Sequence, residues 1–146
     1  MFNITRLRTA SLFLLFYLTL LPGLARPEER KECVICGMYL DEYTTTVHVI
    51  IFNDGTRQET CSLACVAKIY VKEKARINKI MAADFLNADL VDAENAVYLE
   101  GSDIPGVMSY TSRIAFRKRA DAVVFQKKHG GKIVTFKDAL KHQLED

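Results

Sequence analysis

Thr44-Thr45-Thr46-Val47-His48-Val49-Ile50-Ile51-Phe52-Asn53-Asp54-Gly55-Thr56-Arg57-Gln58-Glu59-Thr60-Cys61-Ser62 is the stretch that decides the fold of this chain. Residues 44–52 are dense in β-branched side chains, which suit a pleated, half-buried surface. Asn-Asp-Gly at 53–55 supplies the residues of a tight turn, so residues 56–60 are expected to return as the second strand of a hairpin. Ser62 is placed to cap a helix beginning at Leu63, with Ala64, Ala67, Ile69, Tyr70 and Val71 as the stripe that faces a sheet. Cys61 then falls at a strand end and Cys65 in the first turn of a helix.

Downstream, residues 77–85 and 96–99 read as strands. A long loop over 101–112 contains Pro105 and Gly106. A short strand at 114–116 leads to a helix over 118–129 that Gly130-Gly131 stops, followed by a strand at 133–136 and a helix at 137–143. Strands joined by hairpins and interrupted by two or three packed helices make an α+β domain with a mainly antiparallel sheet. The second half repeats the ingredients of the first less clearly, which allows a duplicated strand-strand-helix-strand unit.

The N-terminus reads as a targeting segment. Arg6 and Arg8 precede an apolar run over 12–21, Pro22 breaks it, and Gly23-Leu24-Ala25 has the small residues read by a signal peptidase. The run is about half of the roughly 20 residues a bilayer span needs, so residues 1–25 are expected to be a cleaved signal rather than an anchor. No cysteine lies at the cleavage point to take a lipid. The product is expected to be exported, periplasmic or beyond, and to meet the membrane only through its signal. Residues 26–32 are charged and read as a flexible leader, leaving 33–146 as the working domain. What remains after cleavage is roughly 120 residues, enough for one modest core.

The formal net charge of +2 loses Arg6 and Arg8 with the signal, so a near-neutral chain has no claim on nucleic acid or an anionic membrane. The basic runs Arg117-Lys118-Arg119 and Lys127-Lys128 read as solvated helix faces. The sequence has no tryptophan for base stacking, and no phosphate loop, nucleophile elbow or carboxylate pair. Asp103 reads as turn chemistry.

Chemistry instead concentrates on sulfur. Cys33-Val34-Ile35-Cys36-Gly37-Met38 places two thiols and a thioether on one turn, and Cys61 and Cys65 supply a second pair. Two disulfides are one reading of four cysteines in an exported protein, although a Cys33–Cys36 bridge would close too short a loop to restrain the unfolded chain. A tetrahedral zinc site is another, because Cys-x-x-Cys followed by a pair at a strand end and helix start is a structural zinc layout. Met38 favours copper(I), which accepts thioether as well as thiolate sulfur. Met108, in a Pro-Gly loop without the periodicity of a core residue, is a further thioether candidate, whereas Met81 lies in an expected strand. His48, flanked by Val47 and Val49, points to the opposite face, toward the site or toward water. His129 suits a helix C-terminus, and His142 reads as an exposed tail residue.

Three segments in order resemble the NosL family of nitrous-oxide reductase accessory proteins: Cys33-Val-Ile-Cys36-Gly37-Met38, Gly101-Ser-Asp-Ile-Pro-Gly-Val-Met108, and a closing region with Ala115-Phe116, Ala120-Asp121-Ala122, Phe125, His129-Gly130-Gly131 and Phe136. The resemblance implies an exported copper(I) chaperone, not an enzyme, which holds the metal with Cys36, Met38 and Met108 and delivers it to an apo copper enzyme, nitrous-oxide reductase. Two departures stand out. Many members are lipoproteins, and many lack the pair Cys61 and Cys65, which would enlarge the copper site, bind zinc with Cys33, or pair as a disulfide. The candidate metal ligands are thus Cys33, Cys36, Met38, Cys61, Cys65 and Met108. The competing functions are a thiol-disulfide oxidoreductase using Cys33 and Cys36, and an interaction module held together by zinc.

Overall fold

The computed structural model describes residues 30–146. The expected signal over 1–25, and the leader up to residue 29, lie outside the described residues. The remainder of the leader is tied down: Arg30 pairs with Asp41 at 2.7 Å and Lys31 with Glu59 at 2.9 Å.

Strand β1 (His48–Phe52) turns through Asn53-Asp54-Gly55 into β2 (Arg57–Thr60), and helix α1 (Leu63–Glu73) follows at once. Strand β3 (Ile77–Ala83) returns beside β1, and β4 (Leu90–Asp92) adds an edge, giving a sheet of order β2-β1-β3-β4. The second half consists of β5 (Val97–Glu100), β6 (Arg113–Phe116), helix α2 (Arg119–His129), β7 (Lys132–Thr135) and helix α3 (Phe136–Glu145). Its sheet has the order β6-β5-β7. Every strand pair in both sheets is antiparallel. The fold is therefore α+β, as expected, but with two sheets in place of one. In each half a hairpin, a helix and a returning strand are arranged so that the first strand lies in the middle, so the strand-strand-helix-strand unit occurs twice.

Burial explains the stacking of the halves. Successive residues of a strand face opposite ways. On β5, Tyr98 enters the main core beside Ile50, Phe52, Leu63, Val66, Phe136 and Ala139, whereas Leu99 enters a second cluster with Ile114, Phe116 and Ala122 of α2. The three-stranded sheet is thus covered on both faces, by the first half and α3 on one side and by α2 on the other. Asp84, just beyond β3, joins the two sheets: it forms a parallel bridge with Ala115 and accepts from the backbone N–H groups of Leu86 at 3.0 Å and Arg117 at 3.3 Å. Among the described residues no helix is long and apolar enough to cross a membrane.

Some local expectations shift. Residues 44–46 are turn rather than strand, because Thr46 Oγ1 donates to the carbonyls of Tyr43 and Cys61 instead of joining a ladder. Helix α1 begins where expected, but the Ser62 hydroxyl makes no cap bond. Val71, assigned to the buried stripe, is 70% exposed. His142 is not a free tail residue: its Nδ1 lies 2.8 Å from Glu100 Oε2. His48 reaches neither a metal site nor water. It is buried, with Nδ1–H donating to the Thr46 carbonyl at 2.9 Å and Nε2 accepting from the Tyr98 hydroxyl at 3.0 Å, which ties the first sheet to the second.

Burial holds the His48 pKa down at about 4, so the ring is neutral at pH 7. The unfolded chain binds this proton below about pH 6.5 and the folded chain does not, so the stabilisation is complete above pH 6.5 and is lost as the pH falls toward 4. Urea titrations from pH 7.5 to 4 are expected to show wild type losing about 3 kcal/mol more than His48→Gln over that window. An equal loss in both proteins would mean that the ring does not titrate in this way.

Candidate metal centre

Two local structures bring the cysteines together. Residues 33–38 form a closed turn in which Cys33 N–H donates to the Met38 carbonyl at 2.8 Å and Gly37 N–H to the Cys33 carbonyl at 2.9 Å. Gly37 has φ +75°, which side chains other than glycine's rarely tolerate. Val34 N–H donates to the Glu59 carbonyl at 3.2 Å, which fastens the turn to the free edge of β2. The second structure is the junction from β2 to α1. The register pairs His48 with Thr60, so Cys61 is the first residue past the ladder, and Cys65 lies four residues on in the first helical turn.

The sulfur atoms converge. Cys36 Sγ lies 3.5 Å from Cys61 Sγ and 3.8 Å from Cys65 Sγ, and Cys61 Sγ lies 3.7 Å from Cys65 Sγ. With Cys33, all four fall within 4.8 Å of one another. No pair is at the roughly 2.05 Å of a disulfide, and all four are free thiols. Cys33, Cys61 and Cys65 are 2% exposed or less, and Cys36 is half-buried on the open side. Leu40 completes the buried cluster, with Met38, Tyr43, Val47 and Val107 packed against it.

Electrostatics within this pocket favours a thiolate at Cys61 and resists one at Cys36 or Cys65. The Cys65 thiol donates to Cys61 and holds its pKa down at about 5. The same hydrogen bond, with burial, pushes Cys65 well above the ordinary thiol range, and burial raises Cys36. Four thiolates in so small a volume require a cation among them, and binding one releases the remaining protons.

The structure thus brings together the four cysteines with Met38 beside them, but places Met108 differently. The irregular loop 101–112 leans back over the start of α1, where Pro105, Val107, Ser109 and Thr111 line a common crevice with Thr46, Ser62, Leu63 and Ala64. Val107 touches the sulfur cluster, whereas Met108 is 43% exposed. Asp103, expected as a turn residue, also accepts from His129 Nδ1 at 2.9 Å, and its N–H donates to the His129 carbonyl. A Cβ at Gly106 would collide with the Ser109 carbonyl, so the loop's bend requires glycine there.

Sequence reasoning missed Arg113, whose side chain is only 3% exposed. Its guanidinium donates to Glu100 at 2.6 Å, Gln143 at 2.7 Å, Asp146 at 2.8 Å and Ser109 at 3.3 Å, anchoring the loop to β5 and α3. A buried arginine at the start of a strand leaves no periodic signal, since its partners are distant in sequence.

Comparison with known proteins places these features in a family. The sequence profile of the NosL family matches residues 25–144. A crystal structure described as the copper chaperone NosL from Shewanella denitrificans superimposes with a TM-score of 0.64 at 22% identity, covering 80% of this chain and 96% of that one. No curated protein sequence matches the chain.

Met108 has φ +56°, a left-handed conformation that costs a non-glycine residue about 1–2 kcal/mol. Urea denaturation is expected to find Met108→Gly at least as stable as wild type and Met108→Val about 1 kcal/mol or more less stable. The reverse order would show that the backbone there is unstrained.

Proposed function

Because the chain belongs to the NosL family, we propose that it is an exported copper(I) chaperone that carries the metal through the periplasm to an apo copper enzyme, nitrous-oxide reductase. It acts as a carrier and not as an enzyme, and copper(I) is its cargo. The observation that carries this reading is the donor set: a preformed group of four thiols with a thioether, Met38, packed against it. Soft sulfur donors of both kinds suit copper(I), and a thioether needs no deprotonation to bind.

Accessibility orders the sulfurs. Cys36 and Met38 on the turn, and Met108 on the loop, are the candidate ligands that solvent reaches, whereas Cys33, Cys61 and Cys65 lie behind them. These three accessible sulfurs are the set implied by resemblance to the family. An arriving ion meets them first, and an acceptor's own sulfur or imidazole can attach before they release it, so copper passes by ligand exchange without becoming free. Thioethers also survive an oxidising compartment in which exposed thiols are at risk.

The thiol-disulfide oxidoreductase alternative is less well supported. A reactive Cys-x-x-Cys pair sits in a partly exposed, electropositive setting, commonly at a helix N-terminus. Here Cys33 is buried and the pair occupies a turn that leads to no helix longer than the single turn Leu40–Glu42.

The test is a copper(I) competition titration of the reduced protein against a chromophoric chelator, with Met38→Ala, Met108→Ala and the double variant. The double variant is expected to bind copper(I) about a hundredfold more weakly, about 2.8 kcal/mol, while unfolding at the wild-type temperature. Unchanged affinity in the double variant would remove the thioethers from the site. Absence of copper(I) binding by wild type would remove the chaperone reading.

A further inference from the structure

The four cysteines differ from the other sulfurs in a way that a cargo site does not require. Zinc bonds to sulfur of about 2.3 Å, directed to the corners of a tetrahedron, set the sulfurs about 3.8 Å apart. The separations of 3.5, 3.7 and 3.8 Å among Cys36, Cys61 and Cys65 match that edge, and Cys33 completes the fourth corner within 4.8 Å. Copper(I) held by two or three sulfurs would not need four thiols drawn to one point.

Burial points the same way. A metal that must leave has to be reached by the acceptor's ligands, yet Cys33, Cys61 and Cys65 are sealed at 2%, 0% and 0% exposure. Closed four-ligand sites are structural, whereas sites that exchange keep an open position. The ligands also come from the two pieces of local structure that little else joins. The turn over 33–38 meets β2 through the single backbone bond from Val34 to Glu59, and the hydrophobic cluster around the sulfurs has Leu40 as its one fully buried aliphatic side chain. A metal here would do the work of the missing core.

We propose that Cys33, Cys36, Cys61 and Cys65 form a resident tetrathiolate zinc site that fastens the N-terminal turn to the β2–α1 junction, distinct from the cargo copper. Zinc enters as the divalent ion and displaces the thiol protons, with no change of oxidation state. The four Zn–S bonds keep thiols out of disulfides in an oxidising compartment. Copper(I) is received at the accessible edge of this centre by Met38 and Met108 together with Cys36, whose thiolate the two metals share. The inference goes beyond the chaperone reading, and zinc binding is read separately from copper(I) binding.

The experiment is native mass spectrometry and zinc X-ray absorption on the mature protein, purified reduced without chelator, before and after one equivalent of copper(I). One zinc per chain is expected, with four sulfur neighbours at about 2.3 Å, and copper(I) should add to give a one-zinc, one-copper species. Cys65→Ser should lose zinc and lower the melting temperature. Because that variant can simply misfold, wild type is also stripped with a zinc chelator and refilled with cobalt(II), which should give the intense visible bands of a tetrahedral thiolate complex. Stripped protein should melt lower and recover on zinc addition. Three outcomes overturn the proposal: no zinc in protein that also fails to take it up, fewer than four sulfur neighbours, or stoichiometric expulsion of zinc by copper(I). Zinc retained with no copper(I) bound would leave this proposal standing and remove the chaperone reading.

Discussion

The structure depends on the double pairing of β1. His48 faces Thr60 on one side and Ala82 on the other, and both ladders run antiparallel from that point. A strand held on both edges cannot slip by one residue without turning its buried face outward, here Ile50 and Phe52 toward solvent. The register therefore fixes where β2 ends. Since Thr60 is its last residue, Cys61 is the first free of the ladder, and α1 starts soon enough to return Cys65 to the same place. The same position secures the other half of the molecule, because the His48 ring bonds to Tyr98 across the boundary between the sheets. Sulfur convergence and the joining of the two halves thus follow from one register.

Around the sulfurs, burial and charge set different roles. A buried thiol is costly to ionise, and Cys36 and Cys65 beside one ready thiolate at Cys61 resist ionisation. Thioethers carry no such penalty and remain the same ligands across the whole pH range. Burial therefore grades across the sulfurs. That gradient runs from Cys65, which is fully buried, through half-buried Cys36 and Met38, to Met108 on its loop.

Features that rest on neighbours in sequence were legible. The β-branched run and Asn-Asp-Gly give the first hairpin, Gly130-Gly131 ends α2 as expected, and the loop over 101–112 carries no regular structure. The position of Cys61 and Cys65 at a strand-to-helix junction was also readable, whereas the convergence of all four cysteines was one of several arrangements the sequence allowed. What was not legible depends on distant partners. Strand β4 is three residues long and too short for a periodic signal. Two sheets look like one because alternation tells which face is buried and not which strands pair. His48 appeared free to reach the site because nothing local announces Tyr98, fifty positions away. Arg113 reads as a surface residue until Glu100, Gln143 and Asp146 surround it.

The repeated unit shows how one architecture was put to two uses. In the first copy the hairpin turn is short and the strand-to-helix corner carries the cysteines. In the second copy the corner before α2 is Arg117-Lys118, exposed and without sulfur, while the hairpin connection has grown into the loop over 101–112. That loop is fixed at its base by Gly101 to Ser112, along its side by Asp103 to His129, and from below by Arg113 to Ser109. Its tip bends over the first copy's corner, so that Val107 seals the cysteines while the next residue, Met108, stays exposed in a strained backbone. Strain of this kind persists only where surrounding bonds over-determine it. The anchors supply that determination, and they do so for the one methionine of the loop. The second copy therefore contributes no corner of its own to the cysteine cluster but covers the first through Val107.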